Sequence, residues 1–199
     1  MRTLLLIRHG TVVGDAERRF LGATDAPMSE AGEAAVRGLA ERVRARYALQ
    51  AVYCSDLGRS RRSAQWLANG VAPVLVRPAL REIDMGEWEA RLRREIADEQ
   101  PQAYSERGAD LVHYRPPGGE NFADLAARVL PCWREILAAH PDGVVALAGH
   151  AGVNRVLLCD TLGMPLENLF RLAQRPACLN VIEWRGGAPI VRLIDGEGS

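Results

Sequence analysis

The sequence contains no lysine: all 25 of its basic side chains are arginine. Genome composition is the plain source of such an absence, yet the absence excludes chemistry. A Schiff-base lysine is impossible, and so is the lysine of the phosphate-cradling loop G-x-x-x-x-G-K-[ST]. Any anion must be gripped by arginine, whose planar fork meets carboxylate or phosphate bidentately. An excess of one charge is missing too, since 25 acidic residues balance 25 basic ones. No net field draws the chain to nucleic acid or to an anionic membrane, and neither is expected as a partner. An anionic ligand needs a local cluster of positive groups instead.

The four cysteines, Cys54, Cys132, Cys159 and Cys178, form no C-x-x-C pair and no Cys/His zinc spacing. They read as small apolar side chains, and neither a metal nor a cofactor is expected. Long apolar runs are also lacking. The first, Leu4 to Ile7, falls short of a signal-peptide core, which needs roughly 7–15 residues. No stretch approaches the roughly 18 apolar residues that cross a bilayer. These readings predict a cytoplasmic protein with reduced thiols.

What is present suits one domain over residues 1–199, with 48% hydrophobic composition and no repeat, linker or low-complexity tract. Thr3 to Ile7 reads as a buried strand that exposes Arg8 and His9 at its end. Residues 11–28 lack periodicity and read as a loop. Ser29 is an N-cap candidate, with Ala35, Leu39 and Val43 at helical spacing after it. Ala51 to Cys54 reads as a strand, Leu57 to Ala68 as a helix, and Val74 to Val76 as a third strand. Residues 89–119 form an excursion, polar and rich in Pro and Gly from 99 onward, with Tyr104, His113 and Tyr114. Phe122, Leu125, Ala126, Val129, Leu130, Trp133, Ile136 and Leu137 make the clearest helical stripe in the chain. Val144 to Ala148 is a strand ending at Gly149 and His150, and a helix follows from about Val153 to Leu162. Val181 to Trp184 and Ile190 to Ile194 pair about Gly186-Gly187. The alternation predicts an α/β, three-layer αβα sandwich, its sheet mostly parallel with one antiparallel strand near the C-terminus.

In such sheets ligands bind beyond the carboxyl ends of the strands. Two strands end alike, one in Arg8-His9-Gly10 and one in Gly149-His150-Ala151-Gly152, in a chain with four histidines. Ser55-Asp56-Leu57-Gly58-Arg59 follows the second strand and opens a helix, placing Arg59 where an anion is favoured. Leu80-Arg81-Glu82 leads a fourth segment that runs through Gly86-Glu87-Trp88. Each piece has a bland reading. His9 alone would be a core histidine, Arg61 and Arg62 a solvated helix face, and Glu82 a surface charge; His113 and His140 carry no assigned chemistry.

Together, and in this order, the pieces resemble the histidine phosphatase superfamily, also called phosphoglycerate mutase-like. The match is to R-H-G at 8–10, then Arg19-Phe20, Gly22, Asp25 and Pro27, S-x-L-x-R at 55–59, L-x-E at 80–82, G-x-W at 86–88 and G-H-x-G-V at 149–153. The resemblance spans essentially the whole chain and favours the phosphatase branch, similar to α-ribazole phosphatase and broad-specificity members. It implies that His9 attacks phosphorus and becomes phosphohistidine. Arg8, Arg59 and His150 would then surround the phosphoryl oxygens, and Glu82 would protonate the leaving oxygen. Asp84 and Glu87 compete with Glu82 for that role. Gly10, Thr11, Asp15, Gly22 and Ala151 are the expected substrate contacts.

The family pattern R-H-G-x-T-x-x-N would place Thr at 12 and Asn at 15, where this chain has Val12 and Asp15. An ionised Asp15 cannot donate to phosphate and would repel it; turning away or pairing with Arg18 or Arg19 would relieve this. The short segment after Glu82 favours hydrolysis of a small phosphate monoester over a mutase. A non-catalytic phospho-ligand binder is the alternative outside enzymology. The sequence leaves the oligomeric state open, a homodimer among the options.

Overall fold

Alternate residues of the central strands part into two cores, and that partition is what makes three layers. In a computed structural model, which describes residues 1–198, six strands and six α-helices follow one another along the chain. Strand β1 (Arg2–Arg8) is buried along its middle, with a hydrophobic side chain at every position from Leu4 to Ile7. Leu4 and Leu6 join one cluster, Leu5 and Ile7 the other. The same sorting holds in β2 (Leu49–Cys54) and β4 (Gly143–Gly149): Tyr53 and Leu147 face one way, Val52 and Ala146 the other. A strand covered on both faces shows continuous apolar character rather than alternation, which is why these segments read as short unbroken runs.

Helices α1 (Glu30–Arg46) and α2 (Gly58–Ala68) cover one face through Leu39, Val43, Ala64 and Leu67. Helices α5 (Phe122–Ala139) and α6 (Ala151–Leu162) cover the other through Leu125, Trp133, Val153 and Leu157. Capping fixes where the longest two begin. Ser29 accepts from the Gly32 N–H at 3.1 Å, and Asn121 accepts from the Asp124 N–H at 2.8 Å while Asp124 returns the bond.

The sheet order is β3-β2-β4-β1-β5-β6, with β3 (Val74–Val76) at one edge. Strands β1 to β4 are parallel; β5 (Leu179–Arg185) is antiparallel both to β1 and to the edge strand β6 (Ala188–Gly196). So β5 is the one strand that runs against the rest. This is the three-layer, mostly parallel architecture expected from the sequence. No helix among the described residues is long and apolar enough to cross a membrane.

The excursion holds two helices that its polar sequence did not announce, α3 (Arg93–Glu99) and α4 (Pro101–Ala109). Beneath them Trp88 is fully buried. Its ring lies 5.4 Å from that of Phe20 and 6.1 Å from that of Tyr114, and its Nε1–H donates to Gln100. The four cysteines are free and buried. Burial pushes the thiols of Cys54 and Cys159 up to about 11 and that of Cys178 up to about 12, and it raises Cys132 as well.

Candidate active site

Register alone brings the two strand-end histidines together. Strands β1 and β4 are parallel neighbours with Arg8 opposite Gly149, so the next residues, His9 and His150, leave the sheet side by side. The His9 N–H donates to the Gly149 carbonyl at 3.2 Å, and the imidazole centroids lie 5.2 Å apart at 63°. Strand β2 adjoins β4, with Cys54 opposite Ala148, and therefore delivers Ser55 to the same edge. Three adjacent strands thus furnish one constellation.

His9 is buried, and its Nδ1 lies 2.7 Å from the Gly10 carbonyl oxygen. A carbonyl can only accept, so Nδ1 carries the proton and Nε2 keeps a free lone pair. That nitrogen faces Arg59, whose Nε–H donates to it at 3.2 Å. Close packing holds the ring's backbone: a Cβ on Gly10 would come within 2.1 Å of the Gly32 carbonyl oxygen, at the start of α1. Burial, then the charges of Arg59 and Arg8, hold the His9 pKa well below its ordinary value. His150 is lowered likewise, by burial first and then by His9 and the arginines. Both rings are neutral at pH 7.

Arg59 is 2% exposed, and it spends its other donors on the backbone: Nη1 to the Thr24 carbonyl and Nη2 to the Gly22 carbonyl, each at 2.6 Å. Burial lowers its pKa, and Glu82, Asp25 and Glu89 offset part of that. His150 Nε2 lies 2.8 Å from Ser55 Oγ, which also accepts from the Leu57 N–H. When the Ser55 hydroxyl donates to Nε2, Nδ1 of His150 carries a proton. Nδ1 is buried and without a hydrogen-bond partner, as is Nε of Arg8. Two buried donors without acceptors at one strand edge suit an anion.

Glu82 is buried, and its two oxygens accept from the Ile83 N–H at 3.0 Å and the Gly152 N–H at 2.9 Å. Glycine is needed at 152, because a Cβ there would lie 2.4 Å from Glu82 Oε1. A cleft of about 600 Å³ opens above this floor, lined by Arg8, Gly22, Glu82, Ala151 and Gly152 and, further out, by Phe20, Tyr104, Arg107 and Phe170. Of the three competing carboxylates, Glu82 lines the cleft. Asp84 caps the Gly86 N–H and Glu87 is exposed. Gly10 and Thr11 lie behind His9, where the Thr11 carbonyl accepts from the N–H and hydroxyl of Ser29. Asp15 is exposed at the rim in a 3-10 turn, Asp15–Glu17. Its carboxylate forms no ion pair with Arg18 or Arg19; Arg19 pairs with Glu17.

Sequence reasoning missed the residues that brace this floor. Glu89 accepts from the N–H groups of Gly22, Ala23, Thr24 and Met85 and from the Thr24 hydroxyl, and so ties two loops together. Arg128, on α5, donates to the carbonyls of Ala79, Arg81 and Glu82 and to the Glu120 carboxylate. Gln174 accepts from Arg8 through its carbonyl at 2.6 Å, and its side chain joins Asn154 and Asn180.

Comparison with known proteins agrees with this geometry. The chain is 30% identical over 186 residues to the "probable phosphoglycerate mutase" of Enterobacter sp. (strain 638), covering 93% of this chain and 86% of that protein. A mycobacterial glucosyl-3-phosphoglycerate phosphatase in complex with VO3 superposes with a TM-score of 0.87 at 28% identity, over 98% of this chain and 100% of that one. The α-ribazole phosphatase of Shigella flexneri shares the fold, with a TM-score of 0.90 at 24% identity over 98% and 96% of the two chains. The model of the histidine phosphatase superfamily (branch 1) matches residues 4–195, and the chain belongs to that superfamily.

Proposed function

We propose that this chain hydrolyses a small phosphate monoester in two steps, through a phosphohistidine on His9. The observation that carries the reading is the 2.7 Å contact between His9 Nδ1 and the Gly10 carbonyl. It leaves the lone pair on Nε2, on the side of the ring that Arg59 faces. A neutral, oriented imidazole is a competent nucleophile without an external base.

In the first step Nε2 attacks phosphorus and the ester P–O bond breaks. Protonated Glu82 gives its proton to the leaving oxygen, which departs as an alcohol. The Glu82 carboxylate then takes a proton from water, whose oxygen attacks phosphorus. The P–N bond breaks, inorganic phosphate leaves, and Glu82 is protonated again. Arg8, Arg59 and the Nδ1–H of His150 supply positive charge and donors to the equatorial oxygens, where phosphoryl-transfer transition states spread their charge. The buried, unpartnered nitrogens of Arg8 and His150 support that role. Ser55 would act through His150 by fixing its tautomer.

The test is phosphate release from p-nitrophenyl phosphate in EDTA, by the parent and by His9→Ala. Activity that survives the chelator and falls at least about 10³-fold in the variant is the expected result. A parent blocked by EDTA, or a variant as active as the parent, would overturn the reading. The likeness to phosphoglycerate mutases favours one rival, a transferase that returns the phosphoryl group to a second hydroxyl. An isomerised ester in place of inorganic phosphate as the main product would establish it.

A further inference from the structure

Five arginines line the cleft against two carboxylates, Asp15 and Glu82. Three of the five are accounted for. Arg8 donates to the Gln174 carbonyl and Arg155 to the Leu172 carbonyl, while Arg19 is paired with Glu17. Arg93 and Arg107 are different. Neither forms an ion pair among the described residues, and the one hydrogen-bond acceptor that either guanidinium meets is the Met85 sulfur, 3.9 Å from Arg107. Both guanidinium carbons instead lie 5.4 Å from the centroid of one ring, Phe20. Two like charges therefore flank a single aromatic side chain in the wall of the cleft.

Elsewhere the chain does not leave its arginines this way. Arg128, also partly buried, meets the Glu120 carboxylate and three carbonyls. Arg91, Arg115 and Arg175, more open to solvent, are each matched to a carboxylate at 2.6–2.7 Å. Arg107 is partly buried, and both its burial and the nearby Arg93 pull its pKa down, as expected of cations held close without a counter-charge. A planar fork with no acceptor, beside a second one, is prepared for an anion from outside. The same cleft holds Glu82 and Arg8 on its floor.

We propose that the substrate is a phosphate monoester bearing a second anionic group, a carboxylate or a second phosphate, which Arg93 and Arg107 hold at the outer wall while the ester phosphate sits on the floor. This rests on the phosphatase reading of the floor. It narrows the substrate class to esters with two anionic ends and makes Arg93 and Arg107 the residues that select them.

The test uses alkyl phosphates with three- and five-carbon spacers that end in a hydroxymethyl, a carboxylate or a second phosphate. In the parent, kcat/KM for at least one doubly anionic probe should exceed that of its hydroxyl counterpart about tenfold or more. The pair that shows the excess identifies the second group. Arg93→Met with Arg107→Met should shrink that ratio to within about twofold, and the paired Lys variants should keep most of it. Ratios near one in the parent, or a ratio unchanged in the double Met variant, would overturn the proposal. Calorimetric binding of the same probes to His9→Ala protein gives the ratio without turnover. Absent hydrolysis with a preference for two anionic ends would then remove the phosphatase reading alone, whereas equal affinities would remove this inference alone.

Discussion

The floor of the cleft and its outer wall are built by opposite rules. The floor hangs from three adjacent parallel strands, and its groups are buried and tied to backbone atoms: His9 to Gly10, Arg59 to Gly22 and Thr24, Glu82 to Ile83 and Gly152. The wall comes from the excursion between β3 and α5, and its polar groups are more open, with Tyr104 37% exposed and Arg93 and Arg107 lacking oxygen acceptors. A sheet edge is rigid, so it suits chemistry that tolerates little displacement. Polar excursions over such an edge can change with little cost to the core, so they suit selection among substrates. The contrast separates what the site does from what it acts on.

The largest effect should come from the floor. Glu82→Gln should lower kcat/KM about 10²–10⁴-fold for an alkyl phosphate, and far less for p-nitrophenyl phosphate, whose leaving group needs no proton. Equal losses on both substrates would remove the acid role. Trp88→Ala probes whether the wall has a core of its own. Deleting this fully buried ring should cost about 3–5 kcal/mol in urea denaturation. A loss under about 1 kcal/mol would mean that the excursion rests loosely on the floor. Glu89→Gln should be milder, about 1–3 kcal/mol, because the amide still accepts some of the five bonds but presents donors to the rest. Unchanged stability would mean that the two loops hold their places without it.

The smallest effect is a pH dependence of the floor's stability. Both His9 and His150 have folded-state pKa values well below the ordinary 6.5, so below that pH the unfolded chain binds protons that the folded one refuses. Stability from this source is fully present above about pH 6.5 and is lost as pH falls below it. Thermal melts from pH 7.5 to 5 should show a falling Tm, and His9→Asn with His150→Asn should flatten the fall. An equal fall in the double variant would place the titration elsewhere.

The floor was the more legible region. Strand ends carry their chemistry in contiguous letters, so Arg8-His9, Gly149-His150, Ser55 to Arg59 and Leu80 to Glu82 could be read directly, and the sheet then had only to set them side by side. The continuous stripe from Phe122 to Leu137 likewise declared α5. Helices α3 and α4 were hidden because they bury little: Ile96 is the one fully buried side chain in the first, and no residue of the second is buried. Pro101 reads as a breaker, yet it opens α4 at a position where its missing N–H costs nothing. Glu89 and the Gln174–Asn154–Asn180 network escaped for another reason. Their partners lie in distant segments, and no spacing in one segment encodes a bond to another. The place of β5 between β1 and β6 is a tertiary outcome of the same kind.

The buried thiols have a practical consequence for watching the wall move. With a thiol pKa of about 11, only about one molecule in ten thousand carries the reactive thiolate at pH 7. Mild maleimide treatment should therefore leave the native cysteines unlabelled. A cysteine placed at the exposed position 104 would then be the single site that takes a fluorophore, on the element whose motion would admit and release the ester.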